Sequence, residues 1–486
     1  MNYAFYIIVI LSIVAIVVLP FAIKRKLQKS FFAQIAIRNI IKVQPLFFCS
    51  YTVWKAVSIL IKNRQNSILD LFLKGNIKKT YLAIRPYDEL TYIALRAFDN
   101  PITACKNLEK FIKNNPTNYV ACAYLAMMYR VMQNKKRQVA WDNIDDKKLP
   151  LYFRAQYKIN IAEIALKNGD LEFASQNFNN AIKLFNKCRA YYEVANVSLS
   201  LGTTYRVCFI FDVAEMLFRS ALKIFLMLKD DSSCAKTYAN LGMLMVGQER
   251  FDEANVFFNK SISFINAKKY PEKIAEVQNQ QALMLIVQKK YKEAEKLIQK
   301  NYELHTKAQN IDGMALSLEL YANSLWKRNK YYSTIQKAKK ASELYKKNNN
   351  ISGLLESMFL SAQALLRSKK ENDAEIILRE IIDIGKKDAG CFYLANAYNL
   401  LGIIYVQRKD LRRAKGLFQQ SLDLEQRCVR NQAIATDYAN IGFIEMRCGN
   451  NDEASKNLNT ALNFALDAGD DDLIKLLEEQ IKRLNS

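Results

Sequence analysis

The sequence predicts an all-α protein in which one membrane-spanning helix precedes a long solenoid of helix pairs. Three observations carry this prediction. Residues 3–23 contain no charge, a 40-residue period runs through most of the remaining chain, and the 486 residues include only 14 Gly and 7 Pro. Because Pro interrupts helices and none follows Pro271, the long stretch after it favours unbroken helices over a β-sandwich.

Positive charge is concentrated near the N-terminus. The chain has 71 Lys and Arg against 47 Asp and Glu, a net charge of +24 at pH 7. Residues 1–85 hold thirteen of the basic residues and a single acid, Asp70. Half of the excess therefore lies in roughly a sixth of the chain, which indicates a separate role for the N-terminal region.

The charge-free run extends from Tyr3 to Ile23. As a helix it would span roughly 30 Å, the thickness of the hydrocarbon layer of a bilayer. Lys24, Arg25 and Lys26 follow it, where a signal peptide would need a small-residue cleavage site. We therefore expect residues 1–23 to form an uncleaved transmembrane anchor.

Basic residues just after the anchor predict its orientation. Because such residues stay on the cytoplasmic face, we expect the N-terminus outside and the bulk of the protein in the cytoplasm. Residues 24–85 form a basic juxtamembrane region, and its part 31–61 permits three interpretations: a helix lying on the membrane surface, a helix packed on the first repeat, or a second membrane pass. The residues predicted to contact anionic headgroups are Lys24, Arg25, Lys26, Lys29, Arg38 and Lys42.

A self-similarity with a period of about 40 residues dominates the chain beyond position 85. Aligning the units places equivalent residues in columns. Twelve positions after a column of small residues comes the first of three columns, which begin at Ala174, Phe178 and Ala181. Their i, i+4, i+7 spacing indicates one face of a second helix. Small residues in the column before these three would let the two helices of a pair approach closely. That column contains only Gly or Ala, at Ala162, Gly202, Gly242, Ala282, Ala322, Ala362, Gly402 and Gly442.

These columns resemble the signature of the tetratricopeptide repeat (TPR) family. The resemblance covers roughly four-fifths of the chain and implies a right-handed α-solenoid of about ten helix pairs over residues 86–470, mostly 40-residue units. A shorter unit fits around Ala104 and Pro116, whereas the helix from Gln138 to Ile144 departs from the pattern. Residues 471–486 predict an amphipathic helix that caps the last pair.

The sequence contains no arrangement typical of catalysis. His305 is the only imidazole, and acid–base chemistry needs a placed partner as well; we expect His305 on the surface of a second helix. The nine cysteines include no C-x-x-C pair, so we expect small buried side chains rather than metal ligands or disulfides. No P-loop or nucleophile-elbow motif occurs. We therefore predict no enzymatic activity, no metal and no cofactor.

In the TPR family, one side of each first helix lines a concave groove, and the resemblance carries this role over to twelve residues. Carboxamides dominate the set, and they can both donate to and accept from a peptide backbone. The alternative is that Asn and Gln simply occupy a solvated face, although Asn is a poor helix former. The predicted groove residues are Asn196, Arg206, Lys236, Asn240, Asn279, Gln280, Asn323, Trp326, Gln363, Asn396, Asn399 and Asn440.

Together these features predict a non-catalytic, membrane-anchored scaffold that binds partner proteins or peptides and recruits them to the membrane. The layout resembles adaptors of the bacterial inner membrane or, in a eukaryote, the import receptor of the mitochondrial outer membrane. One alternative is a peptide-responsive TPR regulator, for which residues 24–85 are short as an output domain. The other is a nucleic-acid-binding solenoid, but no regular stripe of stacking aromatics accompanies the basic clusters.

Overall fold

The structure, a computed structural model, describes residues 50–63, 65–74, 77, 81–97, 100–132, 141, 144–167, 170–388, 391–428 and 430–485. This part of the chain is all-α and contains no strand. The predicted anchor, the six basic residues predicted at the membrane surface, residues 31–49 and most of the helix expected at 138–144 lie outside it. None of the described helices is long and apolar enough to cross a membrane.

The described helices fall into an irregular set followed by a regular alternation. The irregular set is α1 (Ser50–Lys62), α2 (Asn66–Leu73), α3 (Tyr81–Ile84), α4 (Glu89–Arg96), α5 (Pro101–Asn114) and α6 (Tyr119–Val131), with a 3-10 turn at Asp146–Lys148.

First and second helices of the repeat then alternate, and a final helix follows the last pair. They are α7 (Leu151–Lys167), α8 (Leu171–Lys187), α9 (Tyr191–Val207), α10 (Phe211–Leu228), α11 (Asp231–Gly247), α12 (Phe251–Ser263), α13 (Pro271–Val287), α14 (Tyr291–Lys307), α15 (Ile311–Lys327), α16 (Tyr331–Lys347), α17 (Ile351–Arg367), α18 (Glu371–Asp388), α19 (Cys391–Gln407), α20 (Leu411–Cys428), α21 (Asn431–Arg447), α22 (Asn451–Ala468) and α23 (Asp471–Asn485).

Most described turns of the repeat share one backbone geometry, whereas the turn from α12 to α13 contains no left-handed residue. At Lys289 the backbone is left-handed, with φ of 61°, and the amide of Lys290 donates to the carbonyl of Leu285 at 2.9 Å. This is the Schellman closure, which satisfies the free carbonyls at the end of a helix. The left-handed conformation recurs at Arg189, Phe209, Lys229, Glu249, Gln309, Asn329, Asn349, Lys369, Lys409, Gly449 and Gly469.

The residue after each left-handed position commonly caps the next helix. The Asn310 side chain accepts a hydrogen bond from the amide of Gly313 at 2.9 Å, and Asp410 accepts one from Arg413 at 3.1 Å. A side-chain oxygen at this place stabilises a helix start by about 1 kcal/mol. Closure and cap together set where each helix begins, which keeps the helices in phase from one unit to the next.

The column of Gly and Ala lies where the two helices of a pair are closest. A Cβ added to Gly242 would lie 2.6 Å from the ring of Phe258, and one added to Gly402 would lie 2.7 Å from the ring of Phe418. The prediction that small residues permit this approach is confirmed.

Packing divides the described chain into two units. The first comprises the described residues up to 160 together with 177–200 and 219–233, and the second comprises 161–176, 201–218 and 234–485. In the first unit, the Thr52 and Tyr124 hydroxyls share a hydrogen bond of 2.6 Å, and the Tyr124 ring packs edge-on against Phe153. In the second unit, a continuous apolar core includes the buried side chains of Leu378 and Leu401.

Candidate partner-binding surface

The first helices of the second unit leave one side partly exposed to solvent. In α19 this side carries Asn396, Leu400 and Ile403, and in α17 it carries Leu360 and Gln363. Because the helices repeat in phase from unit to unit, equivalent positions share this side. We call it the first-helix face and define it by Lys236, Asn240, Gln280, Asn323, Gln363, Asn396 and Asn440 with the half-buried Leu283, Leu316, Leu360, Leu400, Ile403 and Phe443.

Several carboxamides of the first-helix face have no hydrogen-bond partner within the described chain. Their side chains are half-buried, and their amide groups are available to a bound partner. Asn240 differs, because its Nδ2 donates to the backbone carbonyl of Lys236 at 3.0 Å. The unpaired set comprises Asn323, Gln363, Asn396 and Asn440, together with the buried Oε1 of Gln280.

Asn279 does not lie on the first-helix face, which corrects its predicted place in the groove. Its side chain is 1% exposed. Oδ1 accepts from Nδ2 of Asn301 at 2.9 Å, and Nδ2 donates to Oγ of Ser317 at 3.2 Å. Asn279 therefore joins α13 to α14 and α15 and is unavailable to a partner.

Similar polar contacts join the first helices of other successive units. Ser357 donates to Oε2 of Glu319 at 3.3 Å, and Asn399 donates to Oδ1 of Asp437 at 2.6 Å. Each contact spans 38 residues, as does the contact from Asn279 to Ser317. We call these contacts the polar ladder.

The carboxylic acids of the polar ladder have altered acidity. Burial raises the pKa of Glu319 to about 8, and the nearby charge of Glu356 adds to this shift, while hydrogen bonds from Tyr345 and Ser357 oppose it. Burial likewise raises the pKa of Asp437 to about 6. Burial therefore favours the protonated form of Glu319, in which the carboxyl can act as a donor as well as an acceptor.

Three further predicted groove residues lie elsewhere. Asn196 belongs to the first unit, where its side chain is hydrogen-bonded to Tyr192. Arg206 and Trp326 share one helix position, which lies in line with Asn279 rather than with the first-helix face. Burial lowers the pKa of Arg206, and its Nε has no partner within the described chain. The ring of Trp326 packs on Tyr331 at 5.4 Å.

His305 is buried, whereas the sequence suggested a place on the helix surface. The imidazole is fully excluded from solvent, and a Cβ added to Gly313 would lie 2.3 Å from its Nδ1. Neither ring nitrogen has a hydrogen-bond partner among the described residues. Burial lowers the pKa of His305, so the neutral imidazole fills space in the packing between α14 and α15.

The six cysteines whose side chains the structure describes are free and differ in exposure. Cys105 and Cys234 are buried, as expected, whereas Cys448 is exposed. Among the described side chains, no group of three or more His, Cys, Asp or Glu residues is placed to hold a metal ion.

The described chain is a TPR-like helical repeat protein. This follows from helix pairs that recur in phase along the chain, with Gly or Ala at the closest approach of each pair. No protein-family model matches the chain, and no curated protein matches it in sequence.

Several solved structures resemble the fold. A STAND ATPase with a tetratricopeptide repeat sensor, from Pyrococcus horikoshii, is 12% identical with a TM-score of 0.44, over 88% of this chain and 72% of that one. The apo quorum sensor NprR from B. thuringiensis is 14% identical with a TM-score of 0.43, over 74% and 99%. Yeast Tom70 is 16% identical with a TM-score of 0.41, over 81% and 96%. Similarity at this level carries no information about function.

Proposed function

We propose that the second unit binds a segment of a partner protein on its first-helix face and that the protein acts as a non-catalytic adaptor. The observation that carries the proposal is the set of half-buried carboxamides without partners on successive first helices, such as Asn323 and Gln363. A partner that covers these amides must also bond to them, because a buried donor or acceptor left without a hydrogen bond is costly. A bound backbone would supply donors and acceptors to these amides.

Apolar side chains between the carboxamides support the same proposal. Leu400 and Ile403 pack partly against the core of the second unit and remain partly exposed. A partner segment could bury its own apolar side chains against them while its backbone bonds to the amides. Binding modes of this kind combine backbone hydrogen bonds for affinity with pockets for specificity.

The test compares two triple variants of the full chain. The first is Asn323→Ala/Gln363→Ala/Asn396→Ala on the first-helix face. The second is a matched control on exposed second-helix positions, Asn259→Ala/Gln299→Ala/Gln420→Ala. A binding peptide would be selected from a random displayed library with the wild-type protein, and its Kd would be measured by fluorescence anisotropy.

We expect the first triple variant to weaken the peptide by at least about tenfold, since each lost hydrogen bond contributes about 0.5–1.5 kcal/mol. The control should bind as the wild type does. Equal weakening of both variants, or of neither, would rule out the first-helix face. Recovery of RNA or DNA with a steep salt dependence would favour the nucleic-acid alternative.

We further propose that residues 3–23 anchor the adaptor in a membrane with the repeats in the cytoplasm. This rests on the sequence alone: the length of the charge-free run and the basic residues that follow it. The membrane would be the bacterial inner membrane or, in a eukaryote, the mitochondrial outer membrane. If an N-terminal tag is accessible to proteases from the cytoplasm in intact cells, the proposed orientation is wrong. If alkaline carbonate releases the protein from the membrane, the proposed anchor is wrong.

A further inference from the structure

The turn between α9 and α10 differs in chemistry from the equivalent described turns. It reads Val207-Cys208-Phe209-Ile210, and Phe209 occupies the left-handed position with φ of 61°. A bulky residue is rarely found in this conformation. The residues equivalent to Phe209 and Ile210 in the following units are polar or Gly: Glu249-Arg250, Lys289-Lys290, Asn329-Lys330, Lys369-Lys370, Lys409-Asp410 and Gly449-Asn450.

The apolar side chains of this turn face solvent. Phe209 is 72% exposed, and Val207 and Ile210 are exposed beside it. The start of α8 adds the exposed Phe173, because a hydrogen bond between Ser175 and Tyr205 holds that helix start against the end of α9. We call the surface formed by Val207, Phe209 and Ile210, together with Phe173 from the start of α8, the 207–210 patch. A strained and exposed aromatic side chain among neighbouring apolar ones is typical of an interaction site.

The surroundings of the 207–210 patch are acidic, although the chain as a whole carries +24. Among the described side chains of this turn and of the turns on either side, the bases are Arg206 and Arg250; the charge of Arg430, farther along the chain, also acts on the Cys208 thiol of the turn and opposes the rise in its pKa that burial causes. Arg250 is already paired with Glu253 at 2.7 Å. The acids are Asp170, Glu172, Asp212, Glu215, Glu249, Asp252 and Glu253.

The equivalent turn at 367–375 is balanced in charge, but two other equivalent turns farther along the second unit have an excess of basic residues, even with Glu293 and Glu295 counted. They carry Lys289, Lys290 and Lys292 in one unit and Lys327, Arg328 and Lys330 in the next. The acidic surroundings are therefore local to the 207–210 patch. Electrostatic complementarity selects partners of opposite sign and disfavours those of like sign.

We propose that the 207–210 patch docks a basic amphipathic segment of a partner protein. Apolar side chains of that segment cover Phe209 and its neighbours, and its Lys or Arg side chains meet the acids around them. This surface lies at the turns between first and second helices, so it is separate from the first-helix face and does not depend on the function proposed for that face. The acids also disfavour the alternative of a bilayer with anionic headgroups.

The experiment uses the full chain and a defined probe. The probe is a fluorescent 18-residue amphipathic helix of Leu and Lys, and its counterpart has Glu in place of Lys. The test variant is Phe209→Asn, which installs the residue that the equivalent turn carries at Asn329 and therefore suits the left-handed backbone. The control is Tyr332→Asn, because Tyr332 is 71% exposed but lies beside Lys327 and Lys330.

We expect the Lys peptide to bind the wild type, with Phe209→Asn weakening it by at least about tenfold, since the exposed ring offers the largest apolar area of the patch. Tyr332→Asn should leave the Kd unchanged. The wild type and both variants are measured in the same detergent, so any loss of peptide into the detergent is equal for all three. A difference in Kd between them therefore comes from the 207–210 patch or its control position.

Three results would overturn the proposal. One is an unchanged Kd for Phe209→Asn, and another is equal affinity of the wild type for the Glu peptide. The third is a wild-type dimer in sedimentation that Phe209→Asn converts to a monomer, which would make a second copy the occupant.

Discussion

Nδ2 of Asn399 donates a hydrogen bond to Oδ1 of Asp437, 2.6 Å away and 38 residues farther along the chain. Asn399 was expected to face a ligand, yet this contact directs its amide along the polar ladder. The other oxygen of Asp437, Oδ2, is buried and has no partner within the described chain. The bond therefore satisfies only half of a carboxylate that is 1% exposed.

Asp437→Asn should flatten part of the pH dependence of stability. Burial raises the pKa of Asp437 to about 6 from its ordinary value near 4. The native state then holds a proton that the unfolded chain has lost, so stability falls as pH rises from about 4 through 6. The variant lacks this proton, and its amide oxygen can still accept from Asn399. We expect a shallower fall of Tm between pH 4 and 6, measured by differential scanning fluorimetry.

At pH 7.5 the same variant should be at least as stable as the wild type, because a buried charge with an unpaired oxygen is replaced by a neutral amide. It should also lower the pKa of Glu425, which the Asp437 charge helps to raise. A loss of stability comparable to breaking a buried ion pair, about 3 kcal/mol or more, would show that the Arg430 charge and the Ser421 hydroxyl, which both favour the ionised form of Asp437, outweigh the cost of its burial.

Glu319→Gln should act in the same direction over a wider pH window. Burial raises the pKa of Glu319 to about 8, so its contribution is present below about 4.5 and is lost as pH rises to about 8. The glutamine can still accept a hydrogen bond from Ser357 but cannot ionise. We expect the Tm difference between pH 5 and 8.5 to shrink in the variant. The exposed control Glu303→Gln should keep the wild-type difference, and equal slopes for both variants would exclude Glu319 as the source.

Gly313→Ala should destabilise the protein by about 1–3 kcal/mol, the usual cost of overpacking a filled core. The added Cβ would lie 2.3 Å from Nδ1 of the fully buried His305. Gly416→Ala is the matched control, since a Cβ at Gly416 meets nothing within 4 Å. In α20 that change should stabilise by roughly 0.5–1 kcal/mol.

A double variant at His305 and Gly313 tests whether the clash with the imidazole causes the loss of stability. If the clash with the imidazole is responsible, His305→Ala combined with Gly313→Ala should cost clearly less than the sum of the two single changes. Additive effects in urea unfolding would place the cost of Gly313→Ala elsewhere.

Phe209→Asn should raise the stability of the protein in the absence of any partner. The substitution relieves a bulky residue of the left-handed conformation, and Asn adopts that conformation more readily. We expect a gain of about 0.5–1 kcal/mol in the free energy of unfolding. A loss instead would mean that the contact of the Phe209 ring with Phe211, at 6.0 Å, outweighs the backbone strain.

The helices of the repeat were largely predictable from the sequence, because packing imposes the period on residue size. Gly202 had to be small to admit the ring of Phe218, and the same demand returns in every later unit. The column of small residues therefore indicated where the helices lie and where the two helices of a pair come closest. Asn323 and Gln363 came instead from the family resemblance, which assigns that side of each first helix to the groove, because their column holds apolar residues such as Leu283 and Ile403 in other units.

Two residues were misplaced because side-chain polarity was taken to indicate exposure. Asn279 occupies a position at the boundary between the face and the interior, and its burial depends on Asn301 and Ser317, which complete its hydrogen bonds. His305 stands in a column with Phe185 and Tyr345, both buried. Comparison down that column would have indicated an imidazole in the place of an aromatic ring.

The shared turn geometry has a consequence for how such a chain can change over evolutionary time. Because most described units end in the same Schellman closure, with the next helix often capped by Asn or Asp, a duplicated or deleted unit would usually join turns of the same geometry on both sides. Lineages can therefore gain or lose whole units without inventing new junctions. The span of partner segment that the surface accommodates would then vary in fixed steps, while the unit that carries the 207–210 patch could be kept or discarded independently.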